Sequence, residues 1–253
     1  MNDQECYQFI ARADDVFIAT YPRSGTTWMQ MILYQLMSKG DMSFEHIYEV
    51  IPFLEVSLRN GRILGQLKSP RIFKTHLPYR VLSRYAGRYI YLMRDGKDVL
   101  TSYYYFHKRY GHFHGDFSEF FNRFLSGQVQ YGSWFKHVKE WSLKSAEPNV
   151  LLIHYEDLVQ SLEACIKRIA DFCEISDLDQ KYDVLAKRCS FEFMKKYEKK
   201  FAPEYAPELK PPNDAKPVYN IHIPFLRAGK VGAWRDIFTR DQEIAFNQVL
   251  EKM

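Results

Sequence analysis

Residues 15–38 constrain the fold most, because they read as strand, tight turn and helix without interruption. DVFIAT, residues 15–20, is short and apolar enough for a buried strand. Tyr21-Pro22-Arg23-Ser24-Gly25 carries the proline and glycine of a turn, and TTWMQMILYQLMS, residues 26–38, is an apolar run of helical length. That succession is the first half of a βαβ unit. Further short runs rich in Ile, Leu, Tyr and Val predict strands over 71–75, 88–93 and 150–154. Helical stretches are expected over 97–108, 117–125, 134–144, 162–173, 178–187, 191–199 and 241–252. Strands that alternate with helices imply an α/β fold with a central parallel sheet flanked by helices. With 253 residues and neither an internal repeat nor a linker, the chain reads as a single domain over 1–253.

The same turn suggests chemistry. Gly25 lets the backbone approach a ligand closely, and Thr26 and Thr27 open a helix whose free N–H groups and positive dipole end favour an anion. The arrangement is a P-loop-like phosphate cradle, although an N-capped turn would carry similar residues. A Walker A loop needs G-x-x-x-x-G-K-[ST], and here no first glycine precedes Gly25 and no lysine follows it.

Three later segments add charged groups. In Phe73-Lys74-Thr75-His76-Leu77-Pro78, Lys74 and His76 stand two apart at a strand end and share a face. A cation beside an imidazole lowers its pKa and keeps it in the neutral form a general base needs. In YLMRDGKDVLTSYY, residues 91–104, Arg94 ends a strand and Ser102 lies one to two turns inside the next helix. Together they can hold a second phosphate, or Arg94 can simply pair with Asp95 or Asp98. In LRAGKVGAW, residues 226–234, two cations and two glycines can close over an anion. Six of the eleven prolines fall between Pro203 and Pro224, just before that segment, which reads as a loop over the site.

Composition excludes several alternatives. Against 31 acidic residues stand 35 basic ones, and these are scattered, so no concentrated basic face is available for nucleic acid. No apolar run is long enough for a membrane span, and the N-terminal residues lack the pattern of a signal peptide, so the expected setting is cytoplasmic. Cys6, Cys165, Cys173 and Cys189 form no C-x-x-C pair and are expected to be buried thiols. His107, His112 and His114 have no carboxylate or cysteine at ligand spacing, so no metal site is expected and they are placed on a loop near the pocket. Among the abundant aromatics, Phe53, Tyr79, Tyr104, Phe106, Phe113 and Phe135 are candidates to line an apolar pocket.

Taken together and in order, TYPRSGTTW, FKTHLP, YLMRDGKDVLTSYY and RAGKVGAW closely resemble the cytosolic-type sulfotransferases that use 3′-phosphoadenosine 5′-phosphosulfate (PAPS). The likeness runs from about Asp15 to Thr239. It implies that Arg23, Ser24, Gly25, Thr26 and Thr27 hold the 5′-phosphosulfate, with Trp28 against the adenine. By the same resemblance Arg94 and Ser102 bind the 3′-phosphate, Arg227 and Gly229 close on it, and Tyr155 and Phe191 lie near the adenine. His76 is implied as the base and Lys74 as support for the sulfuryl group, with Arg23 also acting on the transferring group. The acceptor is then a small hydroxylated or amine-bearing molecule, the product nucleotide is 3′-phosphoadenosine 5′-phosphate (PAP), and no metal is needed.

The departures from that pattern are specific. Arg23 stands where the family usually has lysine, and a guanidinium is a fixed fork where an ammonium is a mobile point charge. Ala228 replaces the second basic residue of R-K-G, with Lys230 as a possible partial substitute, and Cys189 replaces a common threonine. The family's dimerisation segment survives only as RDIFTRDQEI, residues 235–244, with Arg240 and Ile244 at two key positions, which leaves a homodimer open. Two alternatives share parts of this reading: a P-loop kinase-like phosphotransferase, and a PAP-binding protein without catalysis.

Overall fold

In the computed structural model, which describes residues 9–175, 182–209 and 219–253, four parallel strands form one sheet. The strands are β1 (Val16–Thr20), β2 (Ile72–Thr75), β3 (Arg88–Met93) and β4 (Val150–His154), in the spatial order β2-β1-β3-β4. Val16 pairs with Ile72 on one side and Arg88 on the other, and Tyr89 pairs with Val150. The chain thus leaves β1 toward one edge and returns to lay β3 on its other side. In open sheets of this kind ligands bind outside the carboxyl ends of the strands at such a reversal.

Side chains alternate along each strand, and here the alternation separates two chemistries. Val16 and Ile18 of β1, Ile90 and Leu92 of β3, and Leu151 and Ile153 of β4 join an aliphatic core. That core includes Met29, Ile32, Leu33 and Leu36 of the helix Thr26–Ser38 and Ile166 and Ile169 of the helix Leu162–Phe172. Phe17, Phe73, Tyr89 and Tyr91 point the other way into an aromatic layer with Trp141, where Tyr91 stacks on Trp141 at 5.0 Å. Both faces being covered is what an all-parallel sheet requires. At the amino end of the sheet, buried Arg71 pairs with buried Asp15 at 2.5 Å, joining the entries to β1 and β2.

The long helices form close to where periodicity placed them, as Gly96–Arg109, Phe117–Leu125, Trp134–Ser142 and Arg240–Glu251. The expected helix over 191–199 is shorter: it ends at Lys196, and a 3-10 turn covers Glu198–Lys200. Residues 178–181 of the expected helix over 178–187 lie outside the described residues, and the remainder forms Tyr182–Arg188. Short helices at Ile47–Val50, Leu54–Arg59, Tyr79–Leu82 and Tyr155–Gln160 were not expected, since four to six residues hold too few turns to show a period. Cys165 and Cys189 are buried free thiols, whereas Cys173 is only half-buried; Cys6 lies outside the described residues. Among the described residues no helix is long and apolar enough to cross a membrane.

Candidate active site

A cavity of about 520 Å³ opens at the carboxyl ends of β1, β2 and β3. Its wall includes Arg23, Gly25, Thr26, Thr27, Trp28, Lys74, His76, Arg94, Ser102, Tyr155, Phe191, Arg227 and Gly229. Residues separated by up to some two hundred positions are brought together there. Ser24 is not part of that wall: its side chain is buried, and its N–H donates to the Tyr21 carbonyl in the turn.

The cradle is built by backbone conformation. Gly25 precedes the helix Thr26–Ser38 at φ 104°, and no side chain caps the helix N-terminus. The first-turn N–H groups therefore have no side-chain cap, the condition under which a helix N-terminus can take an anion. A Cβ on Gly25 would lie 2.9 Å from Tyr155 Cδ2 and 3.0 Å from Leu92 Cδ2. Gly25→Ala is expected to lower the unfolding midpoint by about 2 to 8 °C, from about 1–2 kcal/mol of left-handed strain. Thermal unfolding of the variant checks this; an unchanged midpoint would show that the turn relaxes freely. Arg23 also occupies the left-handed region, at φ 69°, which costs a non-glycine residue energy and is common where function fixes the backbone.

Three arginines converge on this end of the cavity. Arg23 donates from Nε to Ser102 Oγ at 3.1 Å and from Nη2 to the Phe225 carbonyl at 2.9 Å, with its guanidinium between the Phe106 and Phe225 rings. Burial, with Arg94 and Arg227 nearby, lowers its pKa to about 10, opposed in part by Tyr110. Arg94 lies over the Tyr155 ring at 4.1 Å and donates to the carbonyls of Arg23 and Lys230, each at 3.2 Å. Arg94 does approach Asp98, at 3.8 Å, but Asp98 mainly accepts from the N–H groups of Gly232, at 2.7 Å, and Trp234, at 3.1 Å. Those bonds dock the basic segment onto the helix that carries Ser102. Gly229 fits against the Phe191 ring, where a side chain would collide. Lys230 does not substitute for the missing cation at 228, because its ammonium turns outward to Asp236 at 3.3 Å.

On the other side of the cradle, His76 Nδ1 lies 2.9 Å from the Thr20 carbonyl oxygen. A carbonyl can only accept, so Nδ1 carries the proton and Nε2 keeps its lone pair. Burial first, and the neighbouring Lys74 charge second, hold the imidazole well below its ordinary pKa and therefore neutral. Lys74 Nζ donates to Tyr48 Oη at 2.8 Å and stands 4.0 Å from the centre of the Phe53 ring. Burial pulls the ammonium down to about 7, against the opposing pull of the Glu55 carboxylate.

Of the six aromatic pocket candidates, Phe53 and Phe106 reach the cavity. Tyr79 packs on Trp141, Tyr104 on Phe117, Phe113 on Phe120 and Phe135 on Phe246, so those four serve the core. The wall also includes Tyr48, Val56, Tyr103, Tyr110, Tyr131 and Phe225, which the sequence did not single out as pocket residues. His112 lines the cavity, but His107 lies within the helix Gly96–Arg109, buried against Tyr103 and Phe120. The described flanks of the proline-rich stretch do border the cavity, through Pro203, Glu204, Leu209 and Phe225; Pro211, Pro212 and Pro217 lie outside the described residues. Glu204 fastens the first flank by accepting from Arg109 and from Tyr110 Oη.

The cavity thus gathers a neutral imidazole with a free lone pair, an uncapped helix N-terminus and a hydrogen-bonded lysine, a set of groups suited to P-loop-like group transfer. Comparison with known proteins narrows the class. The family model for the sulfotransferase domain matches residues 13–253, and the chain belongs to that family. It is 37% identical over 257 residues to human Sulfotransferase 1E1, covering 96% of this chain and 83% of that one. Among solved structures, mouse sulfotransferase SULT7A1 complexed with PAP superposes with a TM-score of 0.73 at 27% identity, covering 95% of this chain and 84% of that chain. Retinol dehydratase in a complex with retinol and PAP gives a TM-score of 0.76 at 25% identity, covering 97% and 82%. The chain is thus a sulfotransferase with the single α/β architecture that its sequence implies.

Proposed function

We propose that this enzyme moves a sulfuryl group from PAPS to the hydroxyl of a small, largely apolar acceptor, with His76 as general base. The observation that carries the reading is the Nδ1 contact to Thr20, which leaves Nε2 as the proton acceptor beside Lys74 and the cradle. The donor fits the residues present. Arg94 Nε and Arg227 Nε are buried without a hydrogen-bond partner among the described residues, and both side chains line the cavity as donors for a phosphate. Arg94, Ser102, Arg227 and Gly229 would hold the 3′-phosphate; Gly25, Thr26 and Thr27, with Arg23, would hold the 5′ end. Trp28, Tyr155 and Phe191 would flank the base. Ser24 contributes through the turn it stabilises.

His76 Nε2 takes the acceptor proton as the oxygen forms its bond to sulfur and the bond from sulfur to the 5′-phosphate oxygen breaks. Lys74 and Arg23 balance the charge that grows on the sulfuryl and leaving oxygens, the largest contribution in transfers of this kind. Phe53 and Tyr131, packed edge-on against the His76 ring, give the acceptor end its apolar walls. The SULT7A1 and retinol dehydratase structures, each with PAP, support the donor, and the retinol complex supports a small apolar acceptor.

Titration with PAP and with Mg-ATP tests the donor: PAP is expected to bind far more tightly, and a preference for ATP would favour the kinase-like alternative. Turnover of PAPS with a panel of phenols, alcohols and amines tests transfer, and binding without transfer to any of them would leave only the PAP-binding alternative. Protons report on Lys74. With its pKa near 7, the free ammonium loses its proton as pH rises, and a bound anion restores it. PAP binding is therefore expected to take up more protons at pH 8 than at pH 6. Calorimetry in buffers of different ionisation enthalpy measures this, and uptake that persists in Lys74→Met would assign the proton elsewhere.

A further inference from the structure

The base is held by more than its ring. β2 is an edge strand whose ladder with β1 ends at Thr75, so the peptide groups of His76 have no strand to pair with. They are nevertheless at a buried residue, where an unpaired N–H or C=O costs about 1–3 kcal/mol. Two buried side chains meet them from opposite sides. Glu55 Oε1 accepts from the His76 N–H at 2.8 Å, and His137 Nε2 lies 3.2 Å from the His76 carbonyl oxygen.

The second contact fixes a tautomer. Because the carbonyl only accepts, His137 carries its proton on Nε2, and its Nδ1 accepts from the Tyr91 hydroxyl at 3.0 Å. Burial lowers the His137 pKa to about 4, so the ring stays neutral and keeps that tautomer. Glu55 comes from the helix Leu54–Arg59, His137 from Trp134–Ser142 and Tyr91 from β3. With Thr20 on the ring itself, three points from separate elements determine where Nε2 stands.

We propose that Glu55 and His137 are positioning residues for the transfer, gripping the two peptide groups of His76 so that its Nε2 stays aimed at the acceptor hydroxyl. Neither side chain needs to touch the substrates. The proposal rests on the reading of His76 as the base, and a failure of that reading would show separately, as wild-type enzyme that transfers no sulfuryl group. Misplacing a reacting group by about an ångström costs on the order of 100-fold.

The test pairs a disabling with a conservative change at each position. Glu55→Leu and His137→Leu are expected to lower kcat about 10- to 100-fold, with KM for PAPS and PAP affinity within about 3-fold of wild type. Glu55→Gln retains an oxygen for the His76 N–H, and His137→Gln retains an N–H for its carbonyl; each is expected to recover most of the lost kcat. Unchanged kcat in the leucine variants, equal losses in leucine and glutamine variants, or a loss carried by KM would overturn the proposal. A measurement on the wild type needs no variant to fold: nitrogen-15 spectra of labelled histidine should show His76 protonated on Nδ1 and His137 on Nε2 between pH 6 and 8. The opposite tautomer at His137 would also overturn it.

Discussion

His76→Ala is expected to lower turnover by about 10²- to 10⁴-fold, the usual range for a removed general base, while PAP affinity stays within about 3-fold. The separation follows from the layout. The imidazole stands on the acceptor side, held by Thr20, whereas the arginines and Ser102 converge on the other end. On the proposed reading, alanine removes the lone pair that receives the acceptor proton and leaves the anion contacts in place. Because burial keeps the wild-type ring neutral, lowering the pH toward 6 should not imitate the substitution. Initial rates with saturating PAPS and acceptor, alongside PAP titration of both proteins, provide the check. Turnover near the wild-type level would take His76 out of the chemistry, and a parallel collapse of PAP binding would make it a structural residue of the nucleotide site.

Arg94→Ala is expected to weaken PAP by about 10²- to 10⁴-fold. Two charge-assisted hydrogen bonds at about 1.5–3 kcal/mol each amount to about 3–6 kcal/mol. The informative comparison is with adenosine 5′-phosphosulfate, which lacks the 3′-phosphate. Wild-type protein should prefer PAPS strongly, and the variant should bring the two affinities together. Arg94 also ties the cradle to the basic segment through the Arg23 and Lys230 carbonyls, so some loss common to both nucleotides is expected. Arg94→Lys, which keeps charge without the fork, should fall between. A variant that still discriminates as the wild type does would place the 3′-phosphate elsewhere.

Much of this arrangement is legible in the sequence, for physical reasons. Gly25 beside a proline turn, between an apolar strand and an apolar helix, leaves few conformations open, and both elements form as expected. Charged residues at or just past the carboxyl ends of strands are carried to one end of a parallel sheet by topology alone, which is why Lys74, His76 and Arg94 meet. What stays hidden acts across the sheet. Glu55 and His137 reach His76 from 21 and 61 positions away through backbone atoms, which leave no side-chain signature in the sequence. The aromatic candidates failed for a related reason: Tyr79, Tyr104, Phe113 and Phe135 satisfy the same composition argument as Phe53 and Phe106, but helix packing turns them into the cores. Only the sheet's alternation, with its aliphatic and aromatic sides, hints at how many rings the interior consumes.

The Arg23 side chain already has partners on two walls before any phosphate arrives, Ser102 on one and the Phe225 carbonyl on the other. An incoming nucleotide that engages Ser102 competes with a contact already made. Its apparent affinity is consequently a difference between arrangements gained and relinquished, and shortening this guanidinium to an ammonium would alter both sides of that subtraction at once.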